Sequence, residues 1–201
     1  MLALLILVSV AGFLIGGIPS GLLMGRLFSG ADLRKSGSRN IGATNAFRVL
    51  GIMPGLLTLI CDLLKGYLPL LILNAIIPNR LLLIFLGLAT IIGHDFSPYL
   101  KFKGGKGVAT SLGVFLFFSP MAILISLIFW IVVVALIRIV SLASIGAGLI
   151  LPVTIYFMDY PRPVFIAAVF ACFLLIFRHK KNIERLCRGE EKRLVRSKSK
   201  G

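Results

Sequence analysis

The chain alternates long apolar segments with short polar ones, and this alternation restricts what it can fold into. The first segment, from Met1 to Gly25, carries no charged residue. At about 1.5 Å per residue, a helix of this length crosses a hydrocarbon core of about 30 Å. Arg26 follows directly and no basic residue precedes the segment, which is not the form of a cleavable signal peptide. Because similar segments recur along the chain, we predict an all-α integral membrane protein.

Composition and charge placement exclude other classes. The chain is 58% hydrophobic and 14% charged, with a mean hydropathy of +1.02, which is outside the range of ordinary soluble domains. The formal net charge is +15, but the Lys and Arg residues lie in gaps between apolar segments. This placement orients a protein in a membrane and does not predict nucleic-acid binding. The three cysteines form no C-x-x-C pair, so we expect neither a disulfide nor a metal site.

The number of membrane spans depends on residues 108–137, which Ser119 and Pro120 interrupt. A single crossing there would leave nine Lys and Arg residues inside and twelve outside, whereas a turn at Pro120 leaves nineteen inside and two outside. The positive-inside rule therefore favours seven transmembrane helices, with the N-terminus outside and the C-terminus cytoplasmic. The short helix 108–118 is expected to lie among other helices. The predicted spans of this single domain cover approximately residues 2–25, 53–77, 81–100, 108–118, 120–137, 141–157 and 164–178, with a basic cytoplasmic tail at 179–201.

A polar, glycine-rich segment occupies residues 93–110, GHDFSPYLKFKGGKGVAT. Gly104 and Gly105 would allow backbone N–H groups to approach a bulky oxyanion, and three nearby lysines supply positive charge. The start of the helix that follows also favours an anion. A P-loop is excluded because Lys106 is followed by Gly107 and not by Ser or Thr. The segment predicts a phosphate site, and the alternative is a basic turn that only orients the protein.

Two further polar segments fall on the same predicted face. Residues 36–51, SGSRNIGATNAFRVLG, combine hydroxyl, amide and guanidinium groups that suit a second phosphate, and the alternative is a solvated basic loop. Residues 178–191, RHKKNIERLCRGEE, place His179 and Asn182 three residues apart, on one face of a helix expected to continue the last span. A lone interfacial histidine is usually structural, but His179 is the titratable base nearest to the anion-binding face.

These three segments resemble, in order, the signature motifs of the bacterial acyl-phosphate:glycerol-3-phosphate acyltransferases, the PlsY family. With the seven spans, the resemblance covers nearly the whole chain; Arg39 and the long basic extension beyond Arg193 depart from it. It implies transfer of a fatty acyl group from an acyl phosphate to the 1-hydroxyl of sn-glycerol 3-phosphate. The products would be phosphate and lysophosphatidic acid, as in the first acylation step of phospholipid biosynthesis. No cofactor or metal is implied, and the site would lie at the cytoplasmic face of the cell membrane.

The resemblance also implies roles for individual residues. Lys106 and the amides of Gly104 and Gly105 are expected to bind the acyl phosphate. Either His179, oriented by Asn182, or the departing phosphate removes the proton from the attacking hydroxyl, and the sequence leaves both open. The expected catalytic residues are Lys106, Ser144, His179 and Asn182, and glycerol 3-phosphate would be bound by Ser38, Asn40, Thr44, Asn45 and Arg48.

Ser144 resembles a family active-site serine. Because the sequence shows no His–Asp partnership for it, we expect it to form hydrogen bonds and not to act as a nucleophile. Asp62 and Lys65 would share one helix face within the bilayer, so we expect them to form an ion pair that supports the floor of the site.

The expected partners are the two substrates, the lipid bilayer and the enzyme that produces the acyl phosphate. A small-anion or phosphate transporter is the alternative function, although its site would lie near the membrane midplane and usually between repeated halves. The sequence shows no internal repeat. A noncatalytic membrane partner of another lipid enzyme is a third alternative.

Overall fold

A computed structural model describes residues 1–194 of the chain, and these residues form α-helices joined by short connections. Within residues 1–194, a single 3-10 turn lies at Pro98–Leu100. The helices are α1 (Leu2–Gly17), α2 (Ser20–Ser29), α3 (Ala43–Leu50), α4 (Ile52–Ile76), α5 (Arg80–Asp95), α6 (Val108–Phe118), α7 (Pro120–Ile137), α8 (Val140–Phe157), α9 (Arg162–Arg178) and α10 (Lys180–Cys187).

Among the described residues, five helical segments are long and apolar enough to cross a membrane. The count rises to six if α9 and α10, which meet at an angle of 59°, form one broken span. The apolar helix α6 is shorter. The all-helical membrane architecture is therefore confirmed. The bounds of α6 match the prediction of 108–118, and those of α7 match the prediction of 120–137.

The first predicted span, 2–25, falls within one candidate membrane span, Leu2–Ser29. The helix is interrupted at Pro19, which has no N–H to donate and so breaks the helical hydrogen bonds. Its second part, α2, continues to Ser29. The third predicted span, 81–100, likewise ends as an α-helix at Asp95, and the 3-10 turn that begins at Pro98 completes the segment.

The break between α1 and α2 leaves backbone carbonyl groups that side chains from two other helical segments satisfy. The ammonium of Lys65 donates to the carbonyl of Ile18 at 2.9 Å and pairs with Asp62 Oδ1 at 2.7 Å. The hydroxyl of Ser97 donates to the carbonyl of Gly17. The predicted Asp62–Lys65 pair is thus present, and Lys65 also braces the break in the first span.

Small residues let two pairs of helices approach closely. On α1, a Cβ added at Gly12 would lie 2.6 Å from the carbonyl oxygen of Leu86 on α5. On α4, a Cβ added at Gly66 would lie 2.4 to 3.3 Å from backbone atoms of α6, and Gly113 of α6 approaches the backbone of α4 equally closely. Phe115 of α6 is fully buried. The short helix therefore lies inside the bundle, as expected.

The last helix does not continue straight into the tail. The chain bends by 59° at His179, so the prediction of one continuous helix through His179 and Asn182 was wrong. Beyond α10 the chain returns to the connection between α7 and α8, where the N–H of Leu194 donates to the carbonyl of Arg138 at 2.8 Å. The part of the predicted basic tail at 195–201 lies outside the described residues.

Candidate active site

A cavity of about 590 Å³ opens at the end of the bundle where the three polar segments meet. One part of it is polar and is lined by residues of the α2–α4 connection, the loop before α6, and α10 with the chain that follows it. The other part, which we call the apolar arm, extends between α6, α7, α8 and α9. The arm is lined mainly by Leu112, Ile123, Leu127, Ala147, Gly148, Leu151 and Leu175. The cavity can accommodate a molecule with an anionic head and an apolar chain.

Lys106 lies in the polar part, directly before the first turn of α6. Gly107 caps this helix with φ at +70°, a left-handed conformation that glycine adopts without strain. The first N–H groups of a helix have no intrahelical partner and attract anions. The ammonium of Lys106 donates to Asn182 Oδ1 at 2.7 Å. Burial lowers the Lys106 pKa to about 8, with Glu191 opposing the shift and nearby arginines adding to it.

The amides of Gly104 and Gly105, which we expected to bind phosphate, donate to backbone carbonyls in this structure. The Gly104 N–H donates to the carbonyl of Asp95 at 3.2 Å, and the Gly105 N–H donates to that of His94 at 2.9 Å. A Cβ on Gly104 would overlap the His94 carbonyl, and one on Gly105 would overlap the His94 ring. These glycines therefore allow the loop to pack against the end of α5, and neither lines the cavity.

Arg178, at the end of α9, holds the same loop from the other side. Its guanidinium donates to the carbonyl of Gly105 at 2.8 and 3.0 Å and to that of Gly104 at 3.1 Å. Its charge also lies 5.0 Å from the centre of the Phe96 ring. The sequence analysis placed Arg178 in the third polar segment but assigned it no individual role. Its position next to His179 was the available signal that it belongs to the site.

His179 lines the cavity at the bend between α9 and α10. Its Nδ1 lies 2.8 Å from the carbonyl of Leu175, four residues earlier in the chain. The carbonyl of Leu175, and not Asn182 as predicted, thus orients the ring. Burial, reinforced by the charge of Lys106, lowers the His179 pKa to about 4, so the ring is neutral at pH 7. With its proton on Nδ1, the neutral ring can accept a hydrogen bond at Nε2.

Glu191 connects the chain after α10 to the site, and sequence reasoning did not assign it a role. Its carboxylate accepts hydrogen bonds from Asn182 at 2.6 Å, Arg185 at 2.6 Å and Ser141 at 2.8 Å. Burial raises the Glu191 pKa, but these hydrogen bonds outweigh it and lower the pKa overall. Glu191 thereby fixes the amide of Asn182, which accepts from Lys106. A carboxylate within a strongly basic segment was the available signal.

The connection between α2 and α3 is organised around Asn45, which is only 1% exposed. Its side-chain NH₂ donates to three backbone carbonyls between Leu33 and Asn40, at 2.7 to 3.1 Å, and its Oδ1 accepts from the N–H of Ser38 at 2.7 Å. Its polar atoms are therefore used to shape the loop. Asn45 also lines the cavity, so direct binding of glycerol phosphate by this residue stays a prediction.

The other predicted residues of this segment also line the cavity: Ser38, Asn40, Thr44 and Arg48. Asn40 Oδ1 also accepts from the N–H of Gly42 at 2.8 Å. Arg34, also in the connection between α2 and α3, pairs with Asp32 at 2.6 Å.

Ser144 lines the cavity from α8. Its hydroxyl oxygen accepts a hydrogen bond from the indole N–H of Trp130 on α7, at 3.1 Å. This contact agrees with the expectation that Ser144 forms hydrogen bonds. Trp130 was not predicted, because a tryptophan inside an apolar segment is also an ordinary core residue.

The fold and the cavity together define a class of protein. The chain is a multi-pass helical membrane protein whose cavity combines a cationic end with an apolar arm, as an enzyme acting on phosphorylated, lipid-like molecules requires. The comparisons with known proteins identify the family. The chain belongs to the glycerol-3-phosphate acyltransferase family, whose model, described as Glycerol-3-phosphate acyltransferase, matches residues 6–189.

Curated relatives and solved structures agree with this assignment. Proteins named glycerol-3-phosphate acyltransferase from Fusobacterium nucleatum and Trichlorobacter lovleyi are 47% and 46% identical to the chain, each over 90% of this chain and 94% of the relative. A crystal structure of PlsY, an integral membrane glycerol 3-phosphate acyltransferase in its glycerol 3-phosphate form, is 39% identical with a TM-score of 0.90. The match covers 95% of this chain and 96% of that one. The lysophosphatidic acid form of PlsY gives a TM-score of 0.88 at 38% identity, with 95% of each chain covered.

Proposed function

We propose that the chain uses an acyl phosphate as donor and transfers its acyl group to the 1-hydroxyl of sn-glycerol 3-phosphate. The products are lysophosphatidic acid and inorganic phosphate. Glycerol-3-phosphate acyltransferase activity follows from family membership. The observation that carries the choice of donor is a partly buried cation, Lys106, directly before α6, where the polar end of the cavity continues into the apolar arm. An acyl phosphate has the matching form, a phosphate attached to a long apolar chain.

The two substrates use different cations. Lys106 and the first N–H groups of α6 hold the phosphate of the donor. Arg48, on α3, holds the phosphate of glycerol 3-phosphate, with Ser38 and Thr44 as neighbouring hydroxyl donors on the cavity wall. The separation is supported by chain topology, since Arg48 lies on α3 and Lys106 lies in the loop before α6, and both line the cavity.

The reaction needs no covalent intermediate on the protein, because an acyl phosphate is a mixed anhydride and its carbonyl is already activated. The glycerol hydroxyl attacks the carbonyl carbon, and the bond from that carbon to the phosphate oxygen breaks. Negative charge grows on the departing phosphate, where the ammonium of Lys106 stabilises it. A histidine with a pKa of about 4 is a weak base at pH 7. The departing phosphate therefore takes the proton, and His179 accepts a hydrogen bond that aligns the hydroxyl.

The proposed topology has seven crossings, with the N-terminus outside and the active site at the cytoplasmic face of the cell membrane. Three features support it: α6 and α7 are separate helices, Pro120 lies at their junction, and the Lys and Arg residues divide strongly in favour of one side. Reporter fusions test this directly. A fusion at Gly201 is expected to be cytoplasmic and one at Met1 external, and finding both on one side would rule out seven crossings.

Purified protein in lipid nanodiscs tests the chemistry. Acyl phosphate with glycerol 3-phosphate is expected to give lysophosphatidic acid and one phosphate per turnover, without added nucleotide, metal or CoA. Equal or faster turnover with acyl-CoA would overturn the proposed donor. Proteoliposomes loaded with phosphate distinguish the transporter alternative, since sustained phosphate flux without acyl transfer would favour it.

A further inference from the structure

A second cavity, of about 370 Å³, lies at the end of the bundle opposite the active site. Helix α5 connects the two ends, since it begins at Arg80 and ends at Asp95, which accepts from the loop before α6. The wall of the second cavity comes from the ends of α4, α5, α6 and α9, and includes Asn74, Arg80, Leu83, Phe117, Phe118 and Val164. The active-site cavity has a different set of lining residues, so the two cavities are separate.

The shortness of α6 accounts for this second cavity. Helix α6 has 11 residues and is about 16 Å long, whereas a hydrocarbon core is about 30 Å thick. The ring of Phe118, the last residue of α6, lies beside Gly87 of α5, where an added Cβ would be 3.6 Å from the ring. Gly87 is about 10 Å further along α5 than Arg80. The cavity therefore extends about 10 Å from a rim at Arg80 to a floor at Phe118.

The second cavity is polar at its rim and apolar at its floor. Asn74 and Arg80 at the rim are exposed, whereas Leu83, deeper in the wall, is 4% exposed. Phe117 and Phe118 form the floor, with ring centroids 5.2 Å apart in an edge-to-face arrangement. Arg80 forms no ion pair with the acidic residues that the structure describes. A guanidinium without a counterion above an apolar floor suits an amphipathic anion.

We propose that this cavity binds one phospholipid from the leaflet opposite the active site. Arg80 and the amide of Asn74 hold its phosphate, because a guanidinium pairs with phosphate through two parallel hydrogen bonds. The first part of one acyl chain covers Phe117 and Phe118. A phospholipid in that leaflet already has this orientation, with its phosphate at the surface and its chains directed to the midplane. The bound lipid fills the space that the short helix leaves, so it stabilises the protein and does not take part in acyl transfer.

The test measures lipid binding to detergent-purified protein by native mass spectrometry, with saturating glycerol 3-phosphate present to occupy the polar end of the active site. The three probes are dioleoylphosphatidylglycerol, dioleoylglycerol, which lacks the phosphate, and inorganic phosphate. Arg80→Gln removes the charge at the rim, so we expect it to raise the Kd for phosphatidylglycerol about tenfold. It should also reduce the rise in melting temperature that this lipid gives the wild-type protein. Asn74→Trp fills the cavity without changing its charge and should weaken binding as well.

Arg162→Gln is the matched control, because Arg162 lies at the same end of the bundle and carries the same charge but lies outside the cavity wall. We expect its Kd to stay within about twofold of the wild-type value. Acyltransferase activity at saturating substrates should match the wild type in all three variants, which shows that each is folded.

Equal binding of phosphatidylglycerol by Arg80→Gln and Arg162→Gln would overturn the proposal. Inorganic phosphate that binds as tightly as phosphatidylglycerol, and depends equally on Arg80, would assign the cavity to free phosphate and not to a lipid. Dioleoylglycerol that binds as tightly as phosphatidylglycerol would exclude recognition of the phosphate. If Arg80→Gln does not fold, Asn74→Trp decides, since an unchanged Kd in that variant would place the lipid elsewhere.

Discussion

Removing the positive charge of Lys106 tests the centre of the proposed site. Its ammonium is partly buried, donates to Asn182 at 2.7 Å, and has a pKa lowered to about 8, principally by loss of solvation. The charged form is therefore present at pH 7 and is lost as the pH rises through 8. Lys106→Met keeps an unbranched side chain of similar length but removes the charge. We expect this variant to insert and fold while losing stabilisation of the departing phosphate.

The size of the loss follows from Coulomb's law. Two unit charges about 4 Å apart attract by about 4 kcal/mol at an effective dielectric constant of about 20. If between half and all of this attraction develops as the bond to the phosphate breaks, Lys106→Met lowers kcat by about thirtyfold to a thousandfold. The KM for the donor changes less, because that part of the interaction is absent from the bound ground state.

The assay is kcat and KM for both substrates as a function of pH. In the wild-type protein, kcat/KM reports the ionisation of the free enzyme and is expected to fall above about pH 8. Bound phosphate raises the Lys106 pKa, so kcat is expected to fall only at higher pH. Lys106→Arg keeps its charge throughout, so its profile lacks this fall. Near-wild-type activity of folded Lys106→Met would refute the role of the charge, and so would an unchanged alkaline fall in Lys106→Arg.

Three other substitutions test the surroundings of this ammonium. Gly105→Ala introduces a Cβ that overlaps the His94 ring, so we expect a loss of about 1 to 3 kcal/mol in stability and lower kcat. Its control is Gly42→Ala, whose Cβ would lie 3.1 Å from one side-chain oxygen. If Gly105→Ala left the melting temperature unchanged and raised only the donor KM, the packing role of Gly105 would be contradicted. Arg48→Ala should raise the KM for glycerol 3-phosphate, with partial recovery in Arg48→Lys, and a parallel rise in the donor KM would indicate one shared phosphate pocket. Glu191→Gln removes a charge that raises the Lys106 pKa, so the fall in kcat/KM at alkaline pH should move below pH 8. A fall at unchanged pH would show that Glu191 does not act on Lys106.

The helix boundaries that the sequence predicted well are those with local causes. The junction between α6 and α7 follows from Pro120, which is favoured in the first turn of a helix, and the start of α6 follows from Gly107. Pro19 is an equally local signal, yet the uninterrupted apolar composition around it concealed the break between α1 and α2. Hydropathy determines that a segment lies in the membrane but does not determine whether its helix is continuous.

The roles within the site were harder to predict because they depend on contacts between distant segments. A glycine pair permits close approach of the backbone to a ligand or to another part of the protein, and the sequence pattern is the same in both cases. Here Gly104 and Gly105 approach α5. Asn45 is similar, since an asparagine in a polar loop can bind a substrate or the loop itself, and four backbone contacts show the second.

These corrections change how the glycine-rich loop supports catalysis. Its amides donate to the end of α5, and its carbonyls accept from Arg178 of α9. The backbone directly before Lys106 is therefore held on both sides. A buried ammonium on a mobile loop would move towards water and regain an ordinary pKa, because burial is the main cause of its shift. Fixing the loop on two helices keeps the charge of Lys106 in a poorly solvated position, where its attraction to a departing phosphate is strongest. The glycines thus contribute to catalysis through the position of the lysine that follows them.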